Sequence, residues 1–258
     1  MKYTGLLGKN IGYSKSPKIH NNYYEENNIP FFYELFDIEE KEILNFINNV
    51  KNNNIIGFNV TIPYKKVIMK YLEDVVYPAD KIGAVNTVVL TESGLIGYNT
   101  DYYGFIESLR LNDVNLQGKK ALIVGNGGTA MCVNEALWEM EINTIHMISR
   151  NPVKAKEEFN SINNFFGLEE EVDFSQYNII INCTPLGGEN YKGVSPIKLE
   201  NVNKDLILYD LNYSPLKTKF LLEGEALGAR ILNGELMLKL QAYKAIEIWK
   251  QHCLERRE

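Results

Sequence analysis

At 258 residues, 45% of them hydrophobic, the chain can bury an ordinary globular core, and its length suits two modest domains better than one. The net charge of −6 weighs against nucleic acid or an anionic membrane surface as the main partner, because either would repel the average surface. Cys132, Cys183 and Cys253 form no CxxC pair and suggest neither a zinc site nor a disulfide framework, and no apolar run approaches the roughly 20 residues of a membrane span, so a reducing cytoplasm is the expected compartment.

Short apolar runs alternate with longer amphipathic ones, the pattern of βα units around a mostly parallel sheet. In the first hundred residues the runs predict strands over 3–9, 31–37, 55–61, 84–91 and 94–98, and helices over 17–27, 39–52, 64–73 and 77–82. The two strands on either side of Glu92-Ser93 read as a hairpin. Asn99 or Thr100 caps a helix that starts at Asp101, runs to about residue 111 and bridges two domains. The βαβ pattern then restarts with a buried strand over 121–124, a glycine turn and a helix over 128–140. Strands follow over 143–149, 178–183, 206–211 and 230–232 with helix-like segments between them, except that 160–176 shows no period. A helix over 235–252 carries a broad apolar stripe that suits packing back across the domain boundary.

The turn Gly125-Asn126-Gly127-Gly128-Thr129-Ala130 sits between the buried strand and its helix. A dinucleotide-binding turn needs glycines for the bend, for close backbone approach to a pyrophosphate and for helix-on-strand packing, with the helix N-terminus facing the anion. A glycine cluster also serves as a bare tight turn, and the spacing GxGGxA departs from GxGxxG; the strand–turn–helix context favours the dinucleotide. The next strand ends Ile148-Ser149-Arg150-Asn151, without the acid that would bond a ribose in an NAD site. Arg150 can grip a 2′-phosphate with its planar fork beside Ser149, although a solvated surface arginine is the alternative. The expected fold is α/β, with a Rossmann-like doubly wound half after the first hundred residues. In the N-terminal half, Ser14-Lys15-Ser16-Pro17 places two hydroxyls at a helix start, with Ser16 suited to the cap and Pro17 to the first helical position. Gly57 to Lys65 ends another strand with Asn59, Thr61 and Lys65 together, where open α/β sheets bind ligands.

Taken in order, these blocks resemble the shikimate dehydrogenase family over almost the whole chain. The matching stretches are 11–17 with His20-Asn21, 57–65, 82–87, 97–101 with Gly104, 124–130, Ser149-Arg150, 182–187, Asp210 with Tyr213 and Pro215, and Asn233-Gly234 with Met237-Leu238 and Gln241. The resemblance implies a substrate-binding catalytic domain over 1–101, a Rossmann NADP-binding domain over 102–236, and a C-terminal helix over 237–258 that returns to the first. It implies Lys65 and Asp101 as the catalytic pair. Ser14, Ser16, Thr61, Asn86, Asp101, Tyr213 and Gln241 would surround the substrate, with the serines on its carboxylate and Asn86, Asp101 and Gln241 on ring hydroxyls. The turn Gly125 to Ala130 with Ser149, Arg150 and Gly234 would hold NADP, while Thr184 and Met237 would lie near its nicotinamide or ribose. No metal is implied, and the chain would act as a monomer or homodimer on a small molecule, reducing 3-dehydroshikimate to shikimate with NADPH in aromatic biosynthesis. Asn10, Tyr13, Ser149 and Gly188 stand where the family usually has proline, histidine, asparagine and methionine. The rivals are a quinate/shikimate dehydrogenase and a dinucleotide-binding regulator that has lost its chemistry.

Overall fold

The computed structural model of the chain describes residues 1–255. Two units emerge, Met1–Gly104 together with the segment from Lys239 onward, and Phe105–Leu238. The first unit runs β1 (Lys2–Gly8), α1 (Ser16–Glu26), β2 (Phe31–Asp37), α2 (Ile43–Asn49), β3 (Gly57–Val60), β4 (Asp74–Val75), α3 (Ala79–Ile82), β5 (Thr87–Leu90), β6 (Leu95–Tyr98) and the start of α4 (Thr100–Arg110). Its sheet has the order β2-β1-β3-β5-β6-β4. β1 is parallel to both neighbours, whereas β3, β5 and β6 form an antiparallel run that contains the foreseen hairpin.

The second unit continues with β7 (Lys120–Val124), α5 (Gly128–Glu139), β8 (Thr144–Ile148), α6 (Pro152–Glu158), β9 (Asn164–Phe166), β10 (Ile179–Asn182), β11 (Ile207–Asp210), α7 (Lys219–Ala226), β12 (Arg230–Asn233) and the start of α8 (Glu235–Glu255). Its sheet is parallel throughout, in the order β12-β11-β10-β7-β8-β9. Counted from β7 this is the doubly wound arrangement of a Rossmann fold, and the strand order reverses between β7 and β10. Those two strands are apolar and buried almost end to end, as strands covered on both faces must be.

In the first unit, apolar side chains fill both faces of the sheet. One face packs Leu6, Tyr24, Tyr33 and Val89 against Ile246 and Trp249 of α8. The other gathers Leu7, Ile43, Phe58, Tyr64 and Val88. Trp249 Nε1 donates to the Val88 carbonyl at 2.9 Å, and Gly57 leaves it room, since a Cβ there would stand 2.3 Å from Nε1.

Four segments differ from the sequence reading. The helix expected over 64–73 is a turn followed by a 3-10 segment Val67–Tyr71, because Tyr64 buries its ring and donates its hydroxyl to the Ile38 carbonyl at 2.8 Å, which sets the chain direction before a helix can start. The helix expected over 39–52 is a 3-10 turn Glu40–Glu42 running into α2, and it ends before the asparagine run, where Asn54 takes φ 56. Strand β9 lies in the stretch without a period, since a three-residue edge strand is too short to show one. No α-helix joins β10 to β11; Gly187 at φ 91 and Gly193 at φ 77 break that stretch, leaving a single 3-10 turn at Glu189–Tyr191.

Candidate active site

Asp101 stands in the first turn of α4, where the helix dipole favours a carboxylate. Asn99 caps that turn, as its pattern suggested: Oδ1 accepts from the Tyr102 amide at 3.2 Å, and Nδ2 donates to the Ala84 carbonyl at 3.0 Å. Lys65 follows β3 in a loop pinned by the Val85 amide, which donates to the Lys65 carbonyl at 2.9 Å. The two side chains meet, with Lys65 Nζ 2.6 Å from Asp101 Oδ2. They are 24% and 17% exposed, so the pair is shielded and still reachable by a small molecule.

Behind the pair lies a buried polar network. Asn86 Oδ1 accepts from the Thr100 amide at 2.6 Å, and a main-chain N–H can only donate, which fixes the orientation of the side-chain amide. The same oxygen also faces the Thr87 and Thr100 hydroxyls at 3.0 and 3.2 Å, so it is saturated. Asn86 Nδ2 gives one hydrogen to Thr100 Oγ1 at 3.1 Å, leaving the other as the group a substrate hydroxyl can meet. Gln241, on α8, joins through Thr100 Oγ1 at 3.4 Å. Asn59 fastens the network from below, accepting from Tyr33 at 2.8 Å and donating to Thr87 Oγ1 at 2.9 Å. The sequence signalled Asn59 and Thr87 only as parts of motifs and gave no sign of Tyr33.

Ser14 and Ser16 are half-buried at the start of α1. Ser16 is the first residue of the helix and does not cap it: the cap position is Lys15, and Ser14 Oγ accepts from the Ser16 amide at 3.2 Å. No side chain caps α1; Ser14 serves the Ser16 amide instead, and the Ser16 hydroxyl is off the helix amides. His20 sits one turn on, fully buried, with Nδ1 facing the Ser16 carbonyl at 2.9 Å and its ring stacked on Tyr33 at 3.9 Å. The loop before the serines is clamped by Asp37, whose two oxygens accept from the Asn10 and Ile11 amides at 2.8 and 3.1 Å. Thr61, half-buried, closes the group, its amide donating to Leu7 at 2.9 Å.

In the second unit, Gly125 bends the chain at φ 100, and a Cβ there would stand 2.6 Å from Thr184 Cγ2. That contact ties the glycine turn to the loop after β10, at the carboxyl ends of the two strands where the order reverses. Gly127 and Gly128 are exposed, and a Cβ on either meets no atom within 4 Å. Helix α5 begins there with no side-chain cap, so its first amides point outward as an anion site requires. This backbone fits a pyrophosphate. Ala130 is fully buried and its amide is spent on the Gly127 carbonyl at 2.9 Å, which makes it a packing residue. Ser149 is buried too, with Oγ lacking a partner, and Asn151 caps α6 by accepting from the Lys154 amide at 3.0 Å. Arg150 is the exposed group at this strand end. Gly234 packs on the Leu211 backbone, where a Cβ would stand 2.0 Å from the carbonyl oxygen, and Met237 is buried in the first turn of α8. Tyr213 is half-buried in the loop after β11, in this unit and not in the one that holds Lys65. Among the described residues no cluster of His, Cys, Asp or Glu could hold a metal ion.

Residues 6–88 match the model of the shikimate dehydrogenase substrate binding domain. The chain is 53% identical over 249 residues to a shikimate dehydrogenase (NADP(+)) from Clostridium botulinum, a match that covers 96% of each. The chain belongs to the shikimate dehydrogenase family. Solved structures agree: a chorismate mutase/shikimate 5-dehydrogenase fusion protein from Clostridium acetobutylicum is 33% identical with a TM-score of 0.90, covering 97% of this chain and 92% of that one. A shikimate 5-dehydrogenase from Thermus thermophilus, solved with NADP(H) and shikimate, is 31% identical with a TM-score of 0.86, covering 96% and 93%.

Two departures from the shikimate dehydrogenase pattern have a physical reason here. Asn10 adopts φ 55 and uses its amide on Asp37, neither of which a proline can do. Gly188 lies against Asn212, whose Oδ1 would be 2.5 Å from a Cβ at that position. Tyr13 is 77% exposed.

Proposed function

We propose that the chain catalyses the NADPH-dependent reduction of 3-dehydroshikimate to shikimate, the family reaction in aromatic (chorismate) biosynthesis, in the cytoplasm. The observation that carries this reading is the 2.6 Å Lys65–Asp101 pair beside the Asn86 network, in a chain with an open glycine turn for the cofactor. When bound, NADPH would supply the hydride; the turn from Gly125 to Thr129 would hold its pyrophosphate and Arg150 its 2′-phosphate.

As hydride reaches the ketone carbon, negative charge develops on the oxygen. Lys65, protonated, stabilises that charge and delivers its proton; in the reverse direction its neutral form takes the proton from the alcohol. Asp101 holds Lys65 Nζ in place, balances its charge and accepts from a ring hydroxyl. Asn86 meets a second hydroxyl with its remaining N–H, while Ser14 and Ser16 donate to the carboxylate. Gln241 and Thr61 complete the substrate's surroundings within the first unit. Lys65→Ala should lower kcat by roughly 10²–10⁴-fold with a much smaller change in KM, as expected for a proton donor acting mainly in the transition state. Near-normal turnover in that variant contradicts the assignment.

A further inference from the structure

We infer that Asn212, anchored on the buried carboxylate of Asp210, is the positioning residue for the backbone of Thr184–Leu186, the segment on which the nicotinamide half of the cofactor rests. The inference builds on the cofactor reading above.

Thr184 follows β10 at the reversal of strand order, yet the loop that carries it has no helix to brace it. Side chains brace it instead. Asn212 Nδ2 lies 3.0 Å from the Thr184 carbonyl, 3.2 Å from the Leu186 carbonyl and 2.8 Å from Asp210 Oδ1. All three are acceptors, so the amide nitrogen faces the loop and its orientation is fixed. From the other side Asn182 does similar work, with Nδ2 on the Leu186 carbonyl and on Asp210 Oδ1, both at 3.0 Å, and Oδ1 accepting the Thr184 amide at 2.9 Å and hydroxyl at 2.7 Å. Asp210 is fully buried, and its second oxygen is held by the Thr218 hydroxyl at 2.6 Å. A carboxylate so enclosed cannot turn to serve other donors, which makes it a rigid peg for both amides.

The main chain of Asn212 adds another tie, its carbonyl accepting from the Gly234 amide at 3.1 Å at the start of α8. Gly188 completes the fit. A Cβ there would collide with Asn212 Oδ1 at 2.5 Å, so the glycine is what admits the asparagine amide to this place. Gly188 and Asn212 thus act as a pair.

The test is calorimetric titration of the intact protein with two ligands, NADPH and adenosine 2′,5′-bisphosphate, the second of which lacks the nicotinamide half. Asn212→Ala and Gly188→Ala should each weaken NADPH by about tenfold or more, the cost of one or two lost charge-neutral hydrogen bonds and a loosened loop. The bisphosphate, held at the far end, should bind within about twofold of wild type in both. Wild-type-like affinity for the bisphosphate in the same two variants shows that they are folded, and so separates positioning from loss of stability. Unchanged NADPH affinity in a folded Asn212→Ala protein, or equal losses for the two ligands, overturns the inference. Wild-type protein that binds neither ligand overturns the cofactor reading itself.

Discussion

Arg150 lies two residues beyond β8, exposed and without an ion pair to another described residue. A cation left unpaired at that strand end is available to a 2′-phosphate, and the cost of losing it should fall on one cofactor. Arg150→Ala should weaken NADPH by roughly 10- to 100-fold, the range of a charge-assisted hydrogen bond, and barely alter NADH. Equal losses in a fluorescence titration would show that Arg150 does not read the phosphate. His20 offers a different test. Its Nδ1 must carry the proton, since the Ser16 carbonyl can only accept, and Nε2 is buried without a partner. Burial pulls its pKa down from 6.5 to about 4. The unfolded chain therefore binds a proton that the folded one refuses, so this contribution to stability is complete above pH 6.5 and is lost as pH falls towards 4. The loss approaches about 3 kcal/mol at the acid end. His20→Asn keeps a donor for Ser16 and removes the titration, so its unfolding free energy should vary less between pH 6.5 and 4.5 than that of wild type. An unchanged slope in denaturant titrations would contradict this reading of His20.

The elements that sequence reading recovered are those whose signal is local. β7, the glycine turn and α5 are legible because a buried parallel strand is apolar throughout and the turn that follows needs glycine for reasons of backbone geometry. The Asn99 cap on α4 is legible for the same reason, since one side chain serves an amide three residues on. What escaped depends on distant partners. The stretch 64–73 has a helical apolar spacing, but Tyr64 is committed to Ile38 on another part of the chain. The braces of the site, Asp37 on Asn10 and Asn212 on Thr184, are separated by 27 and 28 positions and leave no period to find. The approach of α8 to the first sheet is tertiary too, but its apolar stripe announced it, and it yields a prediction. Gly57→Ala would drive a methyl into Trp249 and the Val88 carbonyl, so it should destabilise the first unit by roughly 1–3 kcal/mol, the usual cost of overpacking. A midpoint of urea unfolding within error of wild type would show that α8 docks loosely there.

At the scale of the whole molecule, the described residues form two six-stranded sheets of different construction. The parallel sheet has the strand order of dinucleotide-binding folds, and the reversal between β7 and β10 brings together Gly125 and Thr184, which lie far apart in sequence. The mixed sheet carries Lys65 and, just beyond β6, Asp101. Strand order was not legible in the sequence, because it is decided by which edges pair and not by what any one strand contains. Family membership supplied what periodicity could not, namely which of many polar residues at strand ends belong to one site. On the function proposed above, substrate identity would rest on a small set of groups in the first unit, most of which a quinate/shikimate enzyme would share. The most direct measurement offers the purified protein shikimate and quinate, each with NADP and with NAD, while formation of reduced cofactor is followed optically. Turnover should be fastest, by a wide margin, with shikimate and NADP. Equal rates with quinate, equal rates with NAD, or binding of both ligands without turnover would contradict the account.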